Sequence, residues 1–292
     1  MAVTSRSPRP LRLWVILAAA GVVVLMLTGV GVYVGVGSAV ANDQIRSADR
    51  AISSAIANQS SMDDAFDEIG ADFQWLGGTN GNFPPEQLRP LADNFERTWR
   101  VEHETVSTDD ATLAHVEGGL DRMGWLTYFS RGKLDAARAR TVHGRKALAL
   151  LATLSADLVQ DGQFLRSDAD AFADVIALDQ AVNARDLITS AEVLSRLEGD
   201  SANAVRLSTA PGLPAVVQAL MQALQKFAQD VRVFFNAIDR HDRSAALSAT
   251  DAVMADSAQI GALDVSQVPA AIDAFYAPML ATYRSEARSA TI

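Results

Sequence analysis

Four histidines are the side chains of this sequence best suited to acid–base chemistry or to metal binding: His103, His115, His143 and His241. On a helix, only residues three or four positions apart share a face, and none of these histidines has an acid or another histidine at those spacings. The local metal motifs HExxH and ExxH are therefore absent. A metal site would need residues from separate helices, and we expect neither a metal nor a cofactor.

Nucleophile and phosphate-binding motifs are equally sparse. The absence of cysteine excludes disulfides, Fe–S clusters and cysteine nucleophiles. There is no G-x-S-x-G, GxxxxGK[ST] or GxGxxG sequence, and the only S-x-x-K, at residues 130–133, lacks the Lys-Thr-Gly that serine acylases also carry. Five acids lie along one side of a predicted helix: Asp63, Asp64, Asp67, Glu68 and Asp72. We interpret them as a solvent-exposed helix face and not as a cation site.

One basic patch occurs in an otherwise acidic chain. With 25 Lys and Arg against 35 Asp and Glu, the net charge of −10 argues against nucleic-acid binding. Residues 131–146 nevertheless contain six basic side chains and a single acid, Asp135: Arg131, Lys133, Arg138, Arg140, Arg145 and Lys146. This patch could bind an anionic headgroup, a cell-wall polymer or an acidic partner. We favour the simpler interpretation that it balances carboxylates of its own bundle.

Aromatic residues are concentrated in the first half of the region after Asn42, since nine of the seventeen lie in residues 66–129. Two pairs are spaced four residues apart, Phe95 with Trp99 and Trp125 with Phe129, which predicts that they pack in a core. The same kinds of side chain could instead line an apolar groove for a ligand or a partner helix. The residues of this candidate groove are Trp75, Trp99, Trp125 and Phe129.

An apolar run at residues 13–36 is the strongest signal in the sequence. No charged residue occurs between Arg12 and Asp43, and a helix of 24 residues is about 36 Å long, slightly more than the roughly 30 Å hydrocarbon layer of a bilayer. We therefore predict a transmembrane signal anchor at residues 13–37. A buried helix of a soluble protein rarely runs this far without polar side chains.

The orientation of this anchor follows from three arginines within residues 1–12, which favour a cytoplasmic stub and an extracytoplasmic C-terminal part. Residues 39–41 (Ala-Val-Ala) fit a signal peptidase site, so a cleaved, secreted carrier is the alternative. The run is longer than secretory signals need, which favours an uncleaved anchor in the cytoplasmic membrane. Gly31, Gly35 and Ala39 share a face on which two anchors could pair into a homodimer.

Apolar residues three and four positions apart dominate the chain beyond Asn42, which predicts an all-α fold. We expect about eight helices, near residues 42–57, 62–76, 86–105, 108–130, 133–160, 168–198, 215–240 and from 243 onward, the last interrupted near 263 and 269. The stripe with the smallest side chains is Leu134, Ala137, Thr141, Gly144, Leu148, Leu151, Ser155 and Leu158. A break near 161–167 would separate a membrane-proximal region, 42–165, from a membrane-distal bundle, 166–292, although one bundle also fits.

These patterns predict a single-pass envelope protein whose extracytoplasmic helical module binds, scaffolds or senses without catalysis of its own. Its expected partners are the membrane and another envelope protein, and not nucleic acid. An exported enzyme or metal-binding protein, with a site assembled from separate helices, stays open as an alternative.

Overall fold

The computed structural model describes the backbone of residues 10–66, 69, 73 and 85–292, and their side chains except those of 10–25, 27, 29, 61, 63, 64, 85 and 86. Within these ranges the chain is all-α, as predicted, with no strand. The helices are α1 (Pro10–Phe66), α2 (Pro85–Leu120), α3 (Arg131–Asn183), α4 (Leu187–Leu207), α5 (Ala215–Asp239), α6 (Arg243–Ala262) and α7 (Val268–Thr291). A 3₁₀ turn, Tyr128–Ser130, precedes α3.

Helix α1 is continuous from Pro10 to Phe66. The separate helix starts predicted at residues 42 and 62 are therefore wrong, because one helix passes through both. Among the described residues, no helix has a stretch long and apolar enough to cross a membrane. Much of the predicted anchor, 13–37, has side chains outside the described part, as do residues 1–9 of the stub and the acids at 63–72, so these assignments stay predictions.

Three further breaks predicted from the sequence are absent. Helix α2 passes through Ser107, α3 passes through residues 161–167, and α4 passes through Gly199. A cut was predicted at 161–167, between the helices expected at 133–160 and 168–198, but Asp161 and Ser167 are buried inside the fold. Local capping signals do not end a helix whose next turn continues to bury side chains. The boundary predicted at residue 165 thus falls inside α3.

Helix α3 is the central element and packs against α1, α2, α4 and α7. All eight positions of the stripe predicted along its first half are buried. Two glycines let neighbouring helices approach: a Cβ on Gly162 would lie 2.7 Å from the Cα of Glu96, and one on Gly144 would lie 3.1 Å from Leu113 Cδ1. The small side chains therefore permit close packing on α3, as the sequence suggested.

Two core clusters follow one another along α3. The larger contains residues of α1, α2, α7 and of α3 up to Ala169, with Ala204 of α4 and Val217 and Met221 of α5, and the second contains α3 from Ala171 together with other residues of α4 and α5. Helix α7 contributes Ile272 and Tyr276 to the first cluster. The regions predicted as 42–165 and 166–292 consequently share one helix and the first core.

The α3–α4 and α5–α6 turns have the same conformation. Arg185 and His241 both have φ of 58°, the left-handed conformation that ends many helices. The aspartate after each one caps the next helix, with a carboxylate oxygen accepting a backbone N–H at 3.0 Å. Residues 181–186 (Ala-Val-Asn-Ala-Arg-Asp) and 237–242 (Ala-Ile-Asp-Arg-His-Asp) are similar in sequence as well. Two helical hairpins are therefore closed by one kind of turn.

Candidate functional site

The residues between α2 and α3, 121–130, form a compact loop that we call the junction loop. Its turns are closed by backbone hydrogen bonds, from Leu126 N to Met123 O and from Ser130 N to Thr127 O, each 2.8 Å long. Met123 adopts a φ of 59°, which reverses the chain direction after α2. The loop therefore has a defined shape although it contributes little to the main core.

Helix α1 holds the back of the junction loop. Gly37 lies so close to the loop that a Cβ there would collide with the backbone oxygen of Leu126. Two turns further along α1, Gln44 Nε2 donates to the carbonyl oxygens of Gly119 at 3.0 Å and Arg122 at 3.2 Å. Only a glycine at position 37 allows the two backbones to approach this closely.

The other side of the junction loop is aromatic and exposed. The Tyr33 ring lies 6.1 Å from Trp125 and 6.2 Å from Phe129, between ring centroids, and its hydroxyl donates to the Trp125 carbonyl. Trp125, Tyr128 and Phe129 nevertheless keep 70%, 64% and 66% of their surfaces exposed. The prediction that Trp125 and Phe129 pack in a core is therefore wrong, since the loop carries them outward. Large aromatic side chains grouped at this exposure mark a contact surface.

The predicted aromatic groove is not assembled in this structure. Trp99 is only 2% exposed and stacks on Phe66, with ring centroids 5.3 Å apart, inside the first core. Its partner in sequence, Phe95, is buried beside it, which confirms core packing for that pair. Trp125 lies instead at the junction loop, and Trp75 is outside the described residues. Trp99 and Trp125 therefore lie in different parts of the molecule.

A cavity of about 300 Å³ opens beside the junction loop. Tyr128 contributes its ring to the wall, and four charged side chains contribute the polar part. Arg138 forms ion pairs with Asp121 and, at 3.5 Å, with Asp135, while Arg131 lies 3.9 Å from Asp135. The charges in this cavity thus largely compensate one another.

The remaining arginines of the predicted anion patch join α3 to neighbouring helices. Arg140 pairs with Asp49 of α1 at 2.7 Å, and Arg145 pairs with Asp110 and Glu117 of α2 at 3.0 and 2.8 Å. These two hydrogen bonds hold the pKa of Arg145 above its ordinary value. The last two members of the patch are exposed lysines, Lys133 and Lys146. The arginines therefore balance carboxylates within the bundle.

The predicted pairing face of α1 is sterically open. A Cβ on Gly31 or Gly35 would meet no atom within 4 Å, and Ala39 is exposed. Gly37, two residues beyond Gly35, is the glycine that another part of the chain covers. The face could accept a second helix, and its pairing stays a prediction.

Two of the four candidate histidines take part in contacts between helices, whereas His115 and His241 are exposed. His103 Nδ1 lies 3.0 Å from Ser155 Oγ, and His143 Nδ1 lies 2.6 Å from Glu286 Oε2, so each joins α3 to a neighbour. The hydrogen bond from His143 lowers the pKa of Glu286. Over the described ranges, no three His, Asp or Glu side chains are grouped so that they could hold a metal ion.

Buried carboxyl groups on α3 are the feature that the sequence did not indicate. Burial raises the pKa of Asp161 to about 8 and that of Asp168 to about 7. Asp161 Oδ2 lies 3.0 Å from Tyr276 Oη, which is also 3.0 Å from the carbonyl oxygen of Pro211. The Tyr276 hydroxyl faces both acceptors, and a neutral Asp161 would supply a second proton for this pair of hydrogen bonds. The acid thereby links α3, α7 and the α4–α5 loop.

A function for the chain has to come from this geometry. No protein-family model, no curated protein and no solved structure matches the chain. Within the part of the chain that the structure describes, the junction loop combines an exposed aromatic surface with attachment to α1.

Proposed function

We propose that this protein is a single-pass membrane protein of the cell envelope, whose extracytoplasmic helical module acts as a binding scaffold without catalysis of its own. The observation that carries the proposal is the continuity of α1 over Pro10–Phe66. The apolar run at 13–36 and the turns that pack in the bundle therefore belong to one helix. Such a helix holds the bundle at a set distance from the bilayer.

The exposed side chains of the apolar run support this anchor. Met26 and Val32 keep 65% and 66% of their surfaces exposed, and Val30 about half. Complete transfer of an aliphatic side chain of this size out of water is favourable by about 1.5–3 kcal/mol. Lipid tails would cover these side chains, and a 24-residue run without charge is long enough to span the hydrocarbon layer that the tails form.

The surroundings of the candidate cleavage site support retention of the anchor. Residues 39–41 lie within α1, and Ala41 is fully buried against Leu120 and Leu134 in a small apolar cluster that also holds Ala48. Signal peptidase requires an accessible, extended substrate, whereas this segment is helical and contributes to packing. An uncleaved chain keeps the junction between α1 and the bundle intact.

The proposal is tested by topology and extraction. The full-length chain with a C-terminal tag should remain in the membrane pellet at alkaline pH, and protease added outside spheroplasts should remove the tag. Ala20→Arg with Val24→Arg should abolish membrane retention, because each arginine at a helix centre costs about 2.5–3.5 kcal/mol on insertion. Ala20→Leu with Val24→Leu is the matched control. A tag that resists external protease in spheroplasts, or a mature mass that begins at Asn42, would overturn the proposal.

A further inference from the structure

We propose that the junction loop is a second membrane contact, which inserts Trp125, Tyr128 and Phe129 into the headgroup boundary of the outer leaflet. The inference rests on the proposed function, because it requires α1 to be anchored in the same bilayer. In this role the loop would fix the tilt and rotation of the bundle above the membrane, which the anchor alone does not do.

The position of the loop along α1 supports this contact. Tyr33, which the loop touches, lies nineteen residues after Trp14, a distance of about 28 Å along a helix. That distance matches the hydrocarbon thickness of a bilayer, at whose two borders Trp and Tyr are enriched. With Trp14 at the inner border, Tyr33 lies at the outer one. Trp125 and Phe129 pack on Tyr33 and therefore lie at the same level.

The composition of the loop suits this border. The three aromatic side chains are exposed together with Met123, and Tyr and Trp place an apolar ring beside a polar group that remains hydrated. Two exposed cations near the loop, Arg122 and Lys133, can reach lipid phosphates, whereas Arg131 and Arg138 are paired with Asp135 and Asp121. Exposed aromatic rings with cations nearby suit an interfacial membrane contact.

The attachment of the loop leaves this surface free. Gly37 and Gln44 hold the side of the loop that faces α1, through the backbone of Leu126 and the carbonyls of Gly119 and Arg122. The aromatic side chains cannot turn into the core without breaking these contacts. Exposing a surface of this kind to water is unfavourable in free energy. The anchored helix holds the loop at the level of the outer leaflet, which can cover the surface with apolar groups.

The absence of native cysteine allows a direct test with single labels. Gly124→Cys adds a thiol beside the aromatic residues without removing them, since the nearest atom to a Cβ there is 3.9 Å away. Met26→Cys reports on the anchor. Ile188→Cys is the matched exposed control, because it follows the far end of α3, a helix of 53 residues that is about 80 Å long. Each full-length variant carries the fluorophore NBD and is reconstituted into phosphatidylcholine and phosphatidylglycerol vesicles containing nitroxide-labelled lipid.

We expect strong quenching at position 26, intermediate quenching at position 124 and none at position 188. Trp125→Ser with Phe129→Ser, added to Gly124→Cys, should reduce quenching at 124 to the level of Ile188→Cys and leave position 26 unchanged. Quenching at 26 without quenching at 124 would overturn the lipid contact and leave the proposed function standing. Lack of quenching at 26 would overturn both. Full quenching at 124 in the double serine variant would show that the aromatic residues do not insert.

Discussion

The substitution Asp161→Asn tests whether a neutral carboxyl group holds α3, α7 and the α4–α5 loop together. Asparagine keeps the size of the side chain, and its amide oxygen can accept the hydrogen bond from Tyr276 that Asp161 accepts. It removes only the ability to ionise. The contact should therefore persist, while the dependence of stability on pH should change.

The magnitude follows from the pKa of Asp161, which burial raises to about 8 in the folded protein, against about 3.9 in an unfolded chain. Between these values the folded state holds one proton more than the unfolded state. The free energy of unfolding is then highest below the unfolded pKa and falls by about 1.4 kcal/mol per pH unit as the pH rises toward the folded pKa. Asp161→Asn should remove this loss, so the variant gains stability relative to the natural chain between about pH 5 and pH 7.

Urea unfolding of the full-length chain in detergent micelles, followed by tryptophan fluorescence at several pH values, measures this difference. The same substitution at an exposed acid, Asp251→Asn, provides the reference against which the change in slope is compared. Part of the slope should remain in Asp161→Asn, because burial also raises the pKa of Asp168 to about 7 and that of Asp200 to about 6. Parallel curves for Asp161→Asn and the natural chain would refute the assignment of a neutral Asp161.

Five further substitutions, two of them controls, test the packing and the junction. Gly162→Ala should destabilise the chain by about 1–3 kcal/mol in urea unfolding, because its Cβ would overlap the backbone of α2. Gly199→Ala is the control and should stabilise the chain by up to about 1 kcal/mol, because the space around Gly199 is open. Equal changes in the free energy of unfolding for the two variants would contradict this packing. Trp99→Ala should cost about 3–5 kcal/mol because the ring is buried, and Trp125→Ala in detergent should cost less than about 0.5 kcal/mol. Gly37→Ala should speed amide hydrogen exchange in the junction loop and leave α4 unchanged, and unaltered loop exchange would show that α1 does not hold the loop.

The helical class and several boundaries were predictable because they depend on local chemistry. Pro85 begins α2, the Pro-Gly-Leu-Pro loop at 211–214 separates α4 from α5, and the break near residue 263 separates α6 from α7, as predicted. Each of these positions carries a proline or a change in apolar spacing that acts within a few residues. The α3–α4 turn at 181–186 contains a comparable local signal, an aspartate cap, but it was missed because one helix was predicted over 168–198. The α5–α6 turn at 237–242 falls where one predicted helix ends, at 240, and the next begins, at 243.

The continuity of the long helices was not predictable from caps alone. Ser107 is followed by an acid three residues later, as at many helix starts, yet it lies inside α2. A capping sequence stabilises a helix end only where the chain leaves the helix, and here the neighbouring helices bury the turns on both sides. Which candidate cap becomes a real end is therefore decided by packing.

The sequence by itself determined that this chain is helical, where its α3 stripe is buried, and that its first residues include an uncharged apolar run. These properties follow from residue spacing and from side-chain hydrophobicity along one segment. The tertiary structure decided that Trp99 is buried while Trp125 is exposed, and that Asp161 lies in an environment that favours its neutral form. Burial and the resulting electrostatics depend on which other helices pack against a position, and that information is spread over segments far apart in the chain.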